Sequence, residues 1–227
     1  MEALFAMSEL FSVEKAARLQ VMLSRRVLNE LDRFPLLDFS KIKYIAAFDS
    51  SYAGGKQCAV AVVYDYSLHT VVEKTYSAVN VKVPYIPGFL AFREIPGYMR
   101  AYSKLTIEPD LILVDGHGLA HPRAFGIATH IGLVLGKPSI GVAKHRLYGE
   151  IIRDEVNKRK IIIAHGRTIG EVIEHNNSEL YVSIGYRIRL EDAVKLVKNL
   201  LVENKKLPIP LQLADEYSKI IKNKYCK

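Results

Sequence analysis

Two short apolar runs that each end in an aspartate constrain the fold of this chain most. Residues 44–48 read YIAAF before Asp49, and residues 111–114 read LILV before Asp115. Unbroken apolar runs of this length are typical of strands that are buried inside a sheet. We therefore expect both carboxylates at the rim of an open α/β sheet, where such sheets place their sites.

A pair of acids on neighbouring strands has two interpretations. The two carboxylates can share a hard cation such as Mg²⁺, because this ion prefers oxygen ligands. They can also do no more than cap the turns that follow the strands, as aspartate does very often. The residues alone leave both interpretations open.

The rest of the pattern predicts one domain over residues 1–227, built on a mixed α/β sheet. Three successive strands with short links indicate an antiparallel meander, and the later alternation of helices and strands implies parallel pairing. The predicted strands are 44–49, 58–64, 70–79, 111–114, 139–143 and 180–184, with a hairpin over 159–174. The predicted helices are 12–33, 89–105, 123–135, 190–203 and 210–224.

An excess of positive charge favours a polyanionic partner. Lys and Arg number 32 against 24 Asp and Glu, which gives a formal net charge of +8. This charge is compatible with nucleic acid and with an anionic membrane surface. No segment approaches about 18 uninterrupted apolar residues, so we expect no membrane span.

The cysteines and the amino-terminal residues predict a reducing, cytoplasmic setting. Cys58 and Cys226 lie far apart in the sequence and form neither a disulfide framework nor a zinc-ligand spacing. We expect Cys58, which lies in an apolar run, to be a small buried hydrophobic residue. Residues 1–19 contain acids among their apolar residues and no basic region, so no signal peptide is expected.

A glycine–histidine segment follows the second aspartate-ended strand. Residues 115–130 read DGHGLAHPRAFGIATH. Its Gly-x-Gly turn lets the backbone approach a ligand closely and leaves N–H and C=O groups free to read the edge of a base. It is not a dinucleotide fingerprint, since Gly126 falls too late, and its three histidines fit no common zinc spacing. Arg123 suits a phosphate contact or a plain surface role.

A second segment is stiffened by two prolines. Pro84 and Pro87 bracket Tyr85 and Ile86 and fix φ on both sides of them. We call residues 84–88 the proline loop. A rigid apolar tip can wedge between bases and fill the gap left by a flipped nucleotide. The alternative is a loop whose tyrosine folds back onto the core.

Three further charged residues carry no signal alone. Lys144 follows the strand at 139–143 and can hold a phosphate or be an ordinary surface lysine. Glu94 and Asp215 lie on predicted helices, where each can belong to a solvated face.

Three sequence blocks nevertheless resemble the signature blocks of the endonuclease V family, in the same order and with the same spacing. They are PYIPGFLAFRE at 84–94, DGHGLAHPRAFGIATHIG at 115–132 and PSIGVAKHRLYG at 138–149. With the strand that ends in Asp49 and the segment 207–215, the similarity runs from about residue 12 to residue 220.

The resemblance implies a fold and a catalytic site. The fold is α/β and ribonuclease-H-like, a central mixed five-stranded sheet with helices on both faces. The site is a Mg²⁺ centre, with Mn²⁺ as a substitute, formed by Asp49, Glu94 and Asp115, with Asp215 as a further acid. Lys144 is expected at the scissile phosphate.

The resemblance also implies how a base is recognised. It implies that Tyr85, together with its neighbours Pro84, Ile86 and Pro87, forms a wedge that enters the DNA. The base pocket it implies is lined by Gly88, Leu90, Gly116, Gly118, His121, Gly126 and Ile127. Leu211-Gln212 stand where the family carries Thr-Arg, which removes one expected polar contact beside Asp215.

The implied reaction is hydrolysis of DNA that contains a deaminated adenine (hypoxanthine, present as deoxyinosine). The bond cut is the second phosphodiester on the 3′ side of the lesion, which leaves 3′-hydroxyl and 5′-phosphate ends. Alternatives are an inosine-specific endoribonuclease, a lesion-binding module without catalysis, and a structural protein with a basic surface. We expect a monomer with no obligate protein partner.

Overall fold

The computed structural model describes residues 11–226, so residues 1–10, which entered the expectation about a signal peptide, lie outside the described residues. Its helices are α1 (Val13–Glu30), α2 (Leu90–Tyr102), α3 (Ile127–Leu135), α4 (Leu190–Asn199) and α5 (Ile209–Tyr225). Its strands are β1 (Tyr44–Ala53), β2 (Lys56–Asp65), β3 (Thr70–Asn80), β4 (Leu111–Asp115), β5 (Ser139–Ala143), β6 (Glu150–Asp154), β7 (Arg159–Ala164), β8 (Arg167–His175) and β9 (Ser178–Tyr186). Within these residues no helix is long and apolar enough to cross a membrane.

The strands form one mixed sheet, as predicted, but it is wider than the expected five strands. In the described residues it has nine strands in the order β3-β2-β1-β4-β5-β9-β8-β7-β6. The pairs β1–β4 and β4–β5 are parallel, whereas the meander β1–β2–β3 is antiparallel. The extra width arises because β9 pairs with β5. The predicted hairpin, β7 and β8, then pairs with β9, and β6 adds the outermost strand.

Helices cover both faces of this sheet, as expected. Successive side chains of a strand point to opposite faces. Ile45 and Ala47 of β1 therefore pack in the same apolar cluster as residues of α4 and α5. Ala46 and Phe48 pack on the other face with α2 and α3, and the rings of Phe48 and Tyr98 lie 5.3 Å apart.

The first helix begins where the sequence predicts it. Ser12 is the N-cap: its side-chain oxygen accepts a hydrogen bond from the Lys15 backbone N–H at 3.2 Å. Such a cap satisfies one of the unpaired donors at the start of a helix. The helix ends at Glu30 and is followed by a 3₁₀ turn over Leu31–Arg33.

The helix predicted at 123–135 begins only at Ile127. Ala124 has φ +49°, outside the helical region, and Gly126 is extended. The backbone N–H groups of Gly126 and Ala128 donate to the carbonyls of Gly118 and His117. The glycine–histidine segment therefore folds back on its own Gly-x-Gly turn before the helix starts.

The expectation that the cysteines are unpaired is wrong in this structure. Cys58 on β2 and Cys226 after α5 are both fully buried, and they form a disulfide across 168 residues of sequence. Sequence separation did not reveal this proximity, because α5 returns along β1 and β2 and brings its end beneath Cys58. The prediction that Cys58 is buried is confirmed.

Removal of this disulfide is expected to destabilise the protein. A crosslink that closes so long a loop restricts the unfolded chain, and loss of a native disulfide typically costs about 2–5 kcal/mol. Cys226→Ser should therefore lower the melting temperature, measured by calorimetry without reductant. Adding a reductant should lower the melting temperature of the parent protein and leave the variant unchanged. Equal sensitivity of both to reductant would contradict the pairing.

Candidate active site

The parallel pairing of β1 with β4 places two aspartates side by side. Phe48 pairs with Val114, so the next residue in each strand, Asp49 and Asp115, occupies the same position at the rim of the sheet. Asp49 is 8% exposed, and the Asp115 side chain is mostly buried. Asp115 ends β4, as predicted. The prediction that Asp49 ends its strand is wrong, because β1 continues to Ala53 in its pairing with β2.

Glu94 reaches the same rim from α2 and is held by two tyrosines. It is 7% exposed. The Tyr52 hydroxyl donates to Glu94 Oε1 at 2.8 Å, and the Tyr98 hydroxyl donates to Oε2 at 2.9 Å. Burial and the nearby Glu94 charge raise the pKa of both hydroxyls, so both remain protonated donors. The sequence analysis did not identify either tyrosine. Tyr98 could have been found, because it lies one helical turn from Glu94, where side chains on a helix can meet.

Helix α5 brings Asp215 to the other side of Asp49. The Asp215 carboxylate is paired with Lys219, one turn further along the helix. Ser218 donates its hydroxyl to Asp49 Oδ2 at 2.7 Å and so fixes α5 to the rim of β1. No sequence signal pointed to Ser218, because its contact depends on how the last helix packs.

The clustering of carboxylates shifts their protonation. Burial raises the pKa of Asp49 to about 6, and the charges of Asp115 and Asp215 act in the same direction against the Ser218 hydrogen bond. Burial likewise raises the pKa of Glu94 to about 7, with added repulsion from Asp49 and Asp115. Asp49 therefore lies within electrostatic reach of Asp115 and Asp215, and Glu94 lies within reach of Asp49 and Asp115.

The donor chemistry of this cluster fits a hard divalent cation. Carboxylates are the protein ligands that Mg²⁺ prefers. A bound cation would favour the charged carboxylates against the burial and the added repulsion that raise the pKa values of Asp49 and Glu94. Within residues 11–226, however, no three acidic, histidine or cysteine side chains stand as a ready-made metal-binding group. Asp115 Oδ2 instead accepts from Lys144 Nζ at 2.7 Å, so a cation would compete with Lys144 for this oxygen.

A cavity of about 260 Å³ opens directly beside the cluster. Gly116, the residue after Asp115, is part of its wall. The lining residues include Gln20, Tyr85, Ile86, Pro87, Gly88, Leu90, Gly116, His121, Gly126 and Ile127. Of the residues that the resemblance implied for the base pocket, Gly118 alone is absent from the lining; it is buried, and its N–H donates to Ser183 Oγ at 2.9 Å.

The proline loop stands at the mouth of this cavity with its tyrosine outward. Tyr85 is 67% exposed, which is high for a large aromatic side chain. Ile86 and Pro87 line the cavity, whereas Pro84 does not. The alternative in which Tyr85 folds back onto the core does not describe this structure.

His121 is part of the cavity wall, and Arg123 contacts this wall without lining the cavity. His121 Nδ1 accepts from the Arg123 backbone N–H at 3.1 Å, which leaves Nε2 as the donor to the Gly88 carbonyl at 2.9 Å. Burial lowers the pKa of His121 to about 4, so the ring is neutral near pH 7. The Arg123 guanidinium also donates to the Gly88 carbonyl and lies over the Phe89 ring, so part of this cation is committed to contacts within the protein.

Comparison with known proteins gives one consistent family. The sequence model of the endonuclease V family matches residues 25–216. Endonuclease V of Desulfurococcus amylolyticus is 56% identical over 210 residues, which cover 92% of this chain and 95% of that protein.

Solved structures agree with the sequence match. The Bacillus subtilis endonuclease V structure has a TM-score of 0.75 and 31% identity, and it covers 87% of this chain and 90% of its own. Endonuclease V of Ciona intestinalis, solved with a 24mer DNA containing an inosine followed by a ribo-adenosine, has a TM-score of 0.80 and 26% identity. That comparison covers 93% of this chain and 98% of the Ciona chain.

The raised pKa of Glu94 predicts a pH-dependent stability. The folded state holds this proton up to about pH 7, whereas the reference carboxyl releases it near 4.5. The metal-free protein should therefore lose stability as pH rises from about 4.5 to 7, by up to roughly 3 kcal/mol. Glu94→Gln, which stays neutral, should reduce this loss, as measured by denaturant unfolding between pH 5 and 8. Glu203→Gln at an exposed position is the control; identical slopes for both variants would refute the assignment.

Proposed function

Because this chain belongs to the endonuclease V family, we propose that it is a metal-dependent endonuclease that acts on deoxyinosine in DNA. It binds a flipped hypoxanthine and hydrolyses the second phosphodiester bond on the 3′ side, which leaves 3′-hydroxyl and 5′-phosphate ends. The most direct support is that the carboxylate cluster and the cavity are adjacent: Asp115 belongs to the cluster, and Gly116, the next residue, lines the cavity. A base held in the cavity has its own backbone beside the acids.

Base recognition follows from the energetics of extrusion. Hypoxanthine pairs weakly, so taking it out of the stack costs less than taking out a normal base. The exposed Tyr85 ring on its rigid loop is placed to fill the gap that remains in the duplex. The cavity walls, rich in glycine, bring backbone N–H and C=O groups close to the base edge.

The chemistry of strand cleavage belongs to the carboxylate cluster. Asp49, Glu94 and Asp115 would hold Mg²⁺ or Mn²⁺, with Asp215 as the fourth acid. A divalent cation there would lower the pKa of the attacking water and stabilise charge on the departing 3′ oxygen. Tyr52 and Tyr98 would keep the Glu94 carboxylate in position for it.

Lys144 is the residue we assign to the scissile phosphate. Its side chain is 45% exposed and bonded to Asp115, so its ammonium lies between the acids and solvent. A phosphate that approaches Asp115 meets this cation first, and the exchange of partners would release the Asp115 carboxylate. Repulsion between the phosphate and the acids is reduced in the same step.

Inosine in RNA is the second candidate substrate. The Ciona intestinalis relative was crystallised with a ribo-adenosine directly after the inosine. A contact to a 2′-hydroxyl needs no separate motif, since backbone groups can make it. In either case we propose a monomer that acts without an obligate protein partner, and for DNA a role in repair of deaminated adenine.

The test is cleavage of labelled oligonucleotides with one central deoxyinosine, as duplex and as single strand, with Mg²⁺ and with EDTA. A Mg²⁺-dependent nick at the second 3′ phosphodiester, with the unmodified strand intact, is the expected result. Cleavage of inosine RNA in place of DNA would transfer the assignment to an endoribonuclease. Binding without cleavage of either substrate would indicate a lesion-binding module.

Asp115→Asn should separate binding from cleavage. The amide keeps the shape of the side chain but loses the charge that a metal ligand needs, so cleavage should fall at least about 10³-fold. Affinity for the deoxyinosine strand, measured by fluorescence anisotropy, should stay within about threefold. Asp32→Asn, at a surface ion pair with Arg167, is the matched control. Loss of binding together with cleavage would contradict a metal-ligand role.

Tyr85→Ala should weaken binding to the lesion duplex. Stacking of an aromatic side chain on a base contributes about 1–3 kcal/mol, so the dissociation constant should rise about 5- to 150-fold. Tyr85→Phe retains the ring and should bind like the parent protein in the same anisotropy assay. If Tyr85→Ala binds the lesion duplex as tightly as the parent protein, Tyr85 does not act as a wedge.

A further inference from the structure

Gln20 is a buried polar side chain on α1, a helix that carries none of the residues expected in the site. It is 1% exposed, yet it lines the cavity beside the carboxylates. Burying an amide without hydrogen bonds costs free energy, so buried amides are held by specific partners. The partners of Gln20 therefore indicate what this residue does.

Both ends of the Gln20 amide are hydrogen-bonded across long sequence distances. Nε2 donates to the Gly88 carbonyl at 3.1 Å and to the Phe125 carbonyl at 3.2 Å. Oε1 accepts from Arg123 Nε at 2.6 Å. Gly88 ends the proline loop, whereas Phe125 and Arg123 belong to the glycine–histidine segment. One amide thus joins the two segments that supply most of the cavity wall.

The junction converges on a single backbone oxygen. The Gly88 carbonyl also accepts from Arg123 Nη2 at 2.7 Å and from His121 Nε2 at 2.9 Å. Gly88 has φ +79°, and a Cβ at this position would lie 2.9 Å from Arg123 Nη2. Gln20, His121 and Arg123 therefore hold this part of the backbone in one place.

We propose that Gln20 is a positioning residue for base recognition, which fixes the proline loop against the glycine–histidine segment and so sets the discrimination between hypoxanthine and adenine. This inference rests on the proposed function. The two bases share one ring outline and differ in the hydrogen-bonding groups at C6 and N1. Discrimination between them depends on polar groups held in register rather than on cavity volume.

Gln20→Glu is the sharpest variant for a test. It preserves the shape of the side chain and its contact with Arg123, but it replaces the amide donor by a carboxylate oxygen that faces the Gly88 and Phe125 carbonyls. Repulsion between these oxygens should part the two segments. We expect KM for a deoxyinosine strand to rise at least about tenfold while kcat stays within about twofold. The preference for deoxyinosine over deoxyadenosine should fall at least about tenfold.

Two further variants guard against a loss of folding. Arg123→Met removes the hydrogen-bond partner of Gln20 Oε1, on the partly exposed side of the network. Like Gln20→Glu, it should raise KM and lower the preference for deoxyinosine over deoxyadenosine. Ser24 lies one turn along α1, and its hydroxyl donates to the Val21 carbonyl, away from the cavity network. Ser24→Ala should therefore change neither KM nor the preference for deoxyinosine. Melting temperatures of all three variants separate a local effect from a global one.

The outcomes distinguish this inference from the proposed function. If the parent protein cuts at deoxyinosine and Gln20→Glu keeps its KM and its preference, the positioning role is wrong and the function stands. If kcat and the melting temperature of Gln20→Glu fall together while the preference for deoxyinosine is unchanged, the positioning role is also wrong. If the parent binds but does not cut, the same comparison made on dissociation constants in EDTA still tests Gln20.

Discussion

The parallel pairing of β1 with β4 is the constraint on which the site depends. It sets Asp49 beside Asp115 at the point where the pairing of the two strands ends, so neither side chain can move far from the other. The helices then bring in the remaining acids from both faces, Glu94 from α2 and Asp215 from α5. A group that no continuous stretch of sequence contains is thus assembled at one point of the sheet rim.

Bringing like charges together is unfavourable, and the structure offsets this with fixed donors. Tyr52 and Tyr98 donate to Glu94, Ser218 donates to Asp49, and Lys144 pairs with Asp115. Hydrogen bonds of this kind favour the charged form, while burial and mutual repulsion oppose it. For Asp49 and Glu94 the opposing effects prevail, so the pKa of each carboxyl lies above its ordinary value.

Sequence patterns predicted those features that depend on local apolar periodicity. The apolar runs before Asp49 and Asp115 correctly indicated β1, β4 and the mixed sheet, whereas β6 was missed because its five residues are mostly exposed. Glu94 stood out only through resemblance, since a helix-borne glutamate has no signature of its own. Gln20 and the Cys58–Cys226 pair depend on how distant elements pack, which residue spacing does not encode.

The disulfide also gives the chain a closed topology. A ring of covalent bonds runs from Cys58 along the backbone to Cys226 and back, and it encloses Glu94, Asp115 and Asp215. A single backbone break within that ring, for example in the exposed turn between β6 and β7, opens the ring without dividing the molecule. Asp215 would remain covalently joined to the fragment that carries the other three acids after such a cut.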